Sequence, residues 1–342
     1  MCIRDRSNIV LLDGLAQEIE SLLSTSYDEF DTLISSVNAE NPWFTVSEIR
    51  RVLNYWSINL RHSVLRKWLN SYKFDENKVS KNVLLICAGN IPLVGFHDFI
   101  SVILSGHHAL LKLSSKDQKL FLFLLKRLEH LDSKFSKNYT VINEPVKEFD
   151  AVIATGSANT SRYFEFYFKD YPKIIRPNKT SVGILSSSVS DQQLLLLAED
   201  VFNYFGLGCR SITKLYVPEN FDFERLRVAF EEFNGLLHHH KFCNNIDYQR
   251  SIHLLNKTEF IDFGHLLLIE NESVFSPMGC LHFEYYEGLN DCIEKVKQHK
   301  DLQLIASDIS FENSISLGET QSPRLDQYAD QIDTIEFLTQ LQ

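Results

Sequence analysis

The sequence predicts an α/β protein of two domains, with an open, mostly parallel sheet in the first. Three observations carry this. Continuous apolar runs at Val83–Ala88 and Ala151–Ala154 have the texture of strands buried on both faces, as parallel strands are. Helical patterns separate these runs at the spacing of βαβ units. A second series of strand-like runs begins near Ser181, in a chain of 342 residues that is long for one hydrophobic core.

In chain order, Met1–Arg6 do not continue into the pattern behind them and look like translated adapter sequence. They are set aside, and the natural N-terminus is expected to be missing. Leu11, Leu12, Leu15, Ile19, Leu22 and Leu23 recur at helix spacing and predict a helix from about Ile9 to Val37. Asn41–Pro42–Trp43 breaks it. Thr45 and Glu48 form a capping box that opens a helix through Val52, Trp56 and Leu60 to about Trp68. Both helices read as packing elements. Val83–Ala88 is the first strand, and it runs into Gly89–Asn90–Ile91–Pro92 and then a helix to Ser105. His107–Leu113 is the next strand, with Lys112 near its end. Ser115 and Gln118 cap a helix through Leu120, Leu124 and Leu128. A short strand around Val141 precedes Ala151–Ala154, which runs into Thr155–Gly156–Ser157 and a helix holding Tyr163, Phe164 and Tyr167. Ligands of open parallel sheets bind beyond the C-terminal strand ends. Asn90, Lys112 and Thr155–Ser157 fall there.

The second block opens with a strand at Ser181–Leu185. A helix over Leu194–Phe205 leads to Gly206–Leu207–Gly208–Cys209, and Thr213–Val217 is a strand. A helix follows from Phe223 to about Phe233, with strands at Leu266–Ile269, Cys280–Tyr285 and Leu302–Ala306 and a helix over Asp291–His299. The tail from Gly318 is polar to Tyr328, then apolar at Ile332, Ile335, Phe337 and Leu338.

Bulk composition excludes several classes. A formal net charge of -11 leaves no electrostatic footprint for nucleic acid. The apolar runs are too short for a membrane span. The six cysteines form no C-x-x-C pair, so neither a disulfide framework nor a zinc site is indicated, which fits a reducing compartment. With 25 Phe and 2 Met, packing is strongly aromatic.

Several residues have the chemistry of a site. Cys209 sits on a glycine turn between a helix and a strand, where backbone N–H groups can point at whatever a sulfur attacks; on this stretch alone a nucleophile and a buried structural thiol are both open. Asn90 is either an oxyanion donor at a strand end or an Asx-turn. Lys112 either meets a ribose or phosphate or snorkels to solvent. Thr155–Gly156–Ser157 either cradles an anion or simply caps a helix. His238–His239–His240 cannot all face one ion from one element, and no partner stands at ligand spacing, so no metal is expected. The polar run Asn244–Arg250 lines a pocket or builds a turn. No G-x-G-x-x-G is present, so any dinucleotide binds in another manner.

Taken together and in order, these segments resemble the aldehyde dehydrogenase superfamily, from about Lys81 to the C-terminus. More closely they resemble its long-chain fatty acyl-CoA reductase family, the aldehyde-supplying reductases of bacterial luminescence. Gly89–Asn90–Ile91–Pro92–Leu93 resembles W-N-x-P-L, Leu111–Lys112–Leu113–Ser114–Ser115 resembles L-K-P-S-E, and Ala154–Thr155–Gly156–Ser157 resembles F-T-G-S. Asn178–Lys179–Thr180–Ser181 stands at G-G-K-S/N, and Gly206–Leu207–Gly208–Cys209 matches G-Q-x-C. Gly318–Glu319–Thr320–Gln321–Ser322–Pro323, followed by Asp326–x–Tyr328–Ala329–Asp330, resembles the reductases' own tail.

The resemblance implies Cys209 as nucleophile and Asn90 as oxyanion donor, with Lys112, Ser114, Thr155, Gly156, Ser157 and Lys179 binding the cofactor. It implies an aldehyde dehydrogenase-like fold: N-terminal helices and a nicotinamide-binding domain over 1–182, a catalytic domain over 183–317, and a tail over 318–342 in interdomain or oligomer contact. It implies NADPH, with NADH as the alternative, an acyl-CoA or acyl-carrier thioester substrate, a homo-oligomer, an acyl-activating partner enzyme and a cytoplasmic setting. Two departures matter. Where hydrolytic members carry the water-activating Glu, this chain has Ile175–Arg176–Pro177–Asn178, without a carboxylate. The ribose-binding E-x-F-G-P appears as Glu272–Ser273–Val274–Phe275–Ser276–Pro277, out of register. The expected activity is therefore thioester reduction to an aldehyde; the alternatives are aldehyde oxidation and a non-reducing acyl-transfer or scaffold subunit.

Overall fold

The structure, a computed structural model, describes residues 3–24, 28–75, 79–144 and 146–341. The chain divides into two compact units. One holds the described residues up to Asn178 and those from Arg324 onward; the other is Lys179–Pro323.

The first unit begins with four helices, α1 (Ile3–Ser24), α2 (Asp28–Glu40), α3 (Val46–Asn59) and α4 (His62–Leu69). The predicted helix over Ile9–Val37 is thus two helices, and the one opening at Thr45 is also two. Ile3–Arg6 are part of α1, so the helix reaches further toward the N-terminus than the apolar spacing indicated, while Met1 and Cys2 lie outside the described residues. Thr45 does cap α3, its hydroxyl accepting the Glu48 N–H at 3.4 Å.

Five parallel strands follow, β1 (Asn82–Ile86), β2 (His108–Lys112), β3 (Tyr139–Val141), β4 (Ala151–Thr155) and β5 (Lys173–Arg176), in the order β3-β2-β1-β4-β5. Between them run α5 (Phe96–Leu104), α6 (Gln118–Leu131) and α7 (Ala158–Tyr167). Alternate strand residues face opposite sides. Val83, Leu85, Leu111 and Ile153 pack with α1, α3, α5 and α6, whereas Leu84, Leu110, Val152 and Ala154 pack with Phe164 of α7 and Phe168. Burial on both faces is why these strands read as unbroken apolar runs. Ser115 is not the cap of α6, as predicted; Asp117 holds that position and its carboxylate turns instead to the Leu93 N–H at 2.8 Å. The end of the chain returns to this unit as α12 (Thr334–Thr339), and Tyr328 receives the Trp68 indole N–H at 2.7 Å.

The second unit holds a seven-stranded sheet. Its strands are β6 (Thr180–Ile184), β7 (Ile212–Pro218), β8 (Ile261–Asp262), β9 (Leu267–Glu270), β10 (Cys280–Tyr286), β11 (Leu302–Ser307) and β12 (Ser314–Ser316), in the order β12-β11-β6-β7-β10-β9-β8. Only the β8–β9 pairing is antiparallel. α8 (Asp191–Phe202) and α9 (Phe223–Phe230) cover one face through Leu194, Leu197, Leu226 and Phe230; α11 (Leu289–Lys297) covers the other through Cys292, Ile293 and Val296. The Asn244–Arg250 run builds neither a turn nor a loop. It lies inside α10 (His240–Asn256), where Arg250 bonds Asp247 at 2.7 Å and Asp262 at 2.7 Å.

Candidate active site

In the first unit the register sets three strand ends side by side. Ile86 of β1 pairs with Lys112 of β2 and with Ala154 of β4. The segments that leave these strands, with Asn90, Lys112–Ser114 and Thr155–Ser157, therefore emerge at one edge of one sheet, separated by strand spacings of about 4.8 Å. Asn90 is exposed there. Its loop is pressed against the loop after β2: a Cβ on Gly89 would stand 2.4 Å from Ser114 Oγ, which only glycine avoids. Leu93, at φ 56°, is held in a left-handed conformation by its bond to Asp117. Burial pushes the Asp117 carboxyl well above the usual carboxylate range.

Lys112 Nζ donates to the Asn143 carbonyl at 2.7 Å, which aims the ammonium across the strand end. Ser114, Ser115 and Lys116 follow in the loop after β2, where Ser114 Oγ accepts the Lys116 N–H at 3.3 Å. Ser157 caps α7 by accepting the Thr160 N–H at 3.3 Å, and the Gly156 N–H reaches the Arg176 carbonyl at 3.3 Å. The capping role of Ser157 is thus real, at a helix start on the same sheet edge as Lys112.

Arg176 lies in the Ile175–Asn178 segment, which the sequence resemblance sets against the water-activating Glu of hydrolytic members. Its buried guanidinium donates to Asp98 at 2.8 Å, to Thr334 Oγ1 at 2.8 Å and to the Ala329 carbonyl at 2.7 Å. This position is a structural ion pair.

In the second unit, Cys209 lies half-buried on a turn between α8 and β7. The predicted helix to Phe205 stops at Phe202. Asn203–Gly206 then form a tight turn in which Tyr204 (φ 55°, ψ 25°) and Phe205 (φ 57°, ψ 26°) are both left-handed. Two adjacent bulky residues in that region store strain, which persists only where surroundings hold it. Here both side chains are buried. The Phe205 ring lies 4.6 Å from the His239 ring and 5.8 Å from Phe242. His239 in turn caps α10 through Nδ1, which accepts the Phe242 N–H at 3.2 Å. Among the described residues no group of three His, Cys, Asp or Glu is placed to hold a metal.

The turn is pinned from below. Ser181 Oγ donates to the Cys209 carbonyl at 3.1 Å, and the Ser211 N–H closes the turn onto Gly208 at 3.0 Å. Because β6 and β7 are neighbours, Lys179 and Cys209 reach the same N-terminal edge of this sheet. The Glu272–Val274 segment comes to that edge too. Its three carbonyls are held in succession by Lys214 Nζ at 2.8 Å, His282 Nδ1 at 2.9 Å and Thr213 Oγ1 at 2.6 Å. A carbonyl only accepts, so His282 carries its proton on Nδ1. Lys214 is fully buried, paired with Glu284 at 2.6 Å, and desolvation lowers its pKa. Sequence reasoning placed Ser181 in a motif without its bond to the Cys209 carbonyl, and missed Lys214 and His282, since nothing in their spacing marks them; strand pairing reveals all three roles.

The architecture is that of the aldehyde dehydrogenases. Aldehyde dehydrogenase 21 from Physcomitrella patens, in complex with succinate, matches with a TM-score of 0.70 at 11% identity, over 98% of this chain and 84% of that one. An NADP-dependent enzyme of E. coli matches at 0.65 and 12% identity, over 91% and 74% of the two chains. A Mycobacterium tuberculosis aldehyde dehydrogenase complexed with NAD+ matches at 0.62 and 12%, over 89% and 73%. At such identities the likeness is one of fold. Among curated proteins a sequence search finds no match. The family is set by sequence: the acyl-CoA reductase (LuxC) profile matches residues 17–237, more than half of the chain. The chain belongs to the acyl-CoA reductase (LuxC) family. Among the described residues no helix is long and apolar enough to cross a membrane.

Proposed function

We propose that this chain reduces an acyl thioester, on CoA or an acyl carrier, to an aldehyde. In this reading Cys209, as thiolate, attacks the thioester carbonyl and the carrier thiol leaves with a proton. The Asn90 amide and the Cys209 N–H donate to the oxyanion; losing one such donor typically costs about a hundredfold or more in rate. A reduced nicotinamide, when bound, supplies the hydride that converts the acyl group to an aldehyde. Lys112, Ser114, Ser115 and Lys116, close together in sequence at this strand end, offer two ammonium groups and two hydroxyls, which suits the extra phosphate of NADPH; Thr155–Ser157 and Lys179 complete the cofactor contacts. The reading requires a reduced thiol, as in the cytoplasm, and the described cysteines are in no disulfide.

One observation carries this reading over aldehyde oxidation. The segment that would bear a water-activating carboxylate bears Arg176, buried in an ion pair with Asp98. An acyl group on Cys209 then awaits hydride and is not hydrolysed. The test is nicotinamide absorbance with acyl-CoA over a range of chain lengths. Acyl-dependent oxidation of NADPH, abolished in Cys209→Ala, is expected. No acyl-dependent change at any chain length, or brisk oxidation of aldehyde by NADP+ without CoA, overturns the reading.

A further inference from the structure

The segment Gly318–Gln321 is singled out by the sequence and has no part in the chemistry above. In the structure it is bound to the turn that carries Cys209. Asp200, in the last turn of α8, is completely buried. Its carboxylate accepts the Gly318 N–H at 2.6 Å, the Thr320 N–H at 3.0 Å and the Thr320 hydroxyl at 2.7 Å. Gln321 then spans the turn, its Nε2 donating to the Asp200 carbonyl at 3.5 Å and to Ser211 Oγ at 3.3 Å. One amide thus ties the residue nine before Cys209 to the residue two after it. Gly318 is at φ 88°, and a Cβ there would stand 2.9 Å from Leu196 Cβ on α8. The segment therefore lies flat on the helix that feeds the turn, at a position where only glycine fits.

We propose that Gly318–Gln321 is a latch that positions the nucleophile, with Gln321 as the positioning residue and Asp200 as its anchor. The strained Tyr204–Gly206 backbone has a relaxed alternative, since right-handed or extended conformations are open to both aromatic residues. A bond that fixes both sides of the turn removes that alternative. A buried carboxylate with three donors is a costly way to hold a surface tail but an effective way to hold it in one register. This inference rests on Cys209 as the nucleophile.

The test is the reactivity of the Cys209 thiol, read by peptide mass after timed exposure to iodoacetamide, in the full chain. Gln321→Leu keeps the volume and removes both bonds. It is expected to change the Cys209 alkylation rate by about tenfold and to lower the rate of Cys209 acylation by acyl-CoA at least as much, with cofactor affinity unchanged. Ser211→Ala removes one of the two bonds from the other side, and the double variant should do no more than Gln321→Leu alone. If Gln321→Leu fails to fold, Ser211→Ala alone reads the latch. Wild-type rates of alkylation and acylation in both single variants overturn the proposal, as does full additivity in the double variant. Absence of acylation in the wild-type chain, with alkylation still latch-dependent, would instead count against the thioester reading and leave the latch standing.

Discussion

Phe205 decides whether packing or strain governs the Cys209 turn. Replacing it with glycine does two opposed things. It removes a left-handed penalty of roughly 1–2 kcal/mol, because glycine adopts φ 57° freely. It also deletes a ring that is 5% exposed and packed on His239 and Phe242. Removing a buried Phe side chain costs about 3–5 kcal/mol. The loss exceeds the gain, so Phe205→Gly should destabilise by about 1–4 kcal/mol, a fall in melting temperature of roughly 3–15 °C for a unit of this size. Thermal melts followed by circular dichroism measure it, and the thioester assay should show a parallel loss. A variant as stable as the wild type would mean that strain outweighs packing here, and the account of how the turn is held would be wrong.

Further outcomes follow from the same geometry. Glu284→Ala leaves Lys214 buried without its carboxylate and should cost about 3–5 kcal/mol, whereas Lys214→Met leaves Glu284 with Lys295, 2.5 Å away, and should cost well under that. Chemical denaturation of the two variants checks the asymmetry. Burial raises the Asp200 pKa from 3.8 to about 6. A raised carboxyl pKa favours the folded state while protonated and disfavours it once ionised, so the stability advantage of wild type over Asp200→Asn should shrink as pH rises from about 4 to about 6, by on the order of 2–3 kcal/mol, and stay level above. Urea titrations across that range measure the difference. Lys112→Met should raise KM for NADPH about tenfold or more with a smaller effect on NADH, as expected for loss of a charge-assisted phosphate contact; steady-state kinetics with both cofactors reads it.

Much of the fold was legible because buried parallel strands announce themselves. The runs that became β1, β4, β6 and β7 needed only apolar continuity and the glycine or polar residues that end them. β5 was missed because it is four residues long and ends in a charged Arg176, whose partner Asp98 lies 78 residues away. Helix ends fared worse. The break between α3 and α4 falls within a continuing apolar pattern, and Asp117 displaced Ser115 as the N-cap of α6 because a tertiary bond to Leu93 decides that turn. At the site, Cys209 and Asn90 were visible as a thiol and an amide beside glycines. What holds the Cys209 turn was not. Ser181, Asp200 and Gln321 act through strand register and chain return, and no local spacing encodes either.

The central claim is that Cys209 takes an acyl group from a thioester and holds it for hydride. Intact mass of the chain mixed with acyl-CoA, without cofactor, tests it most directly. The account predicts a single added acyl mass that maps to Cys209, is absent in Cys209→Ala, persists in buffer, and disappears with release of aldehyde once NADPH is added. An adduct that survives Cys209→Ala, or one that is lost to water as free acid before NADPH is added, would contradict it.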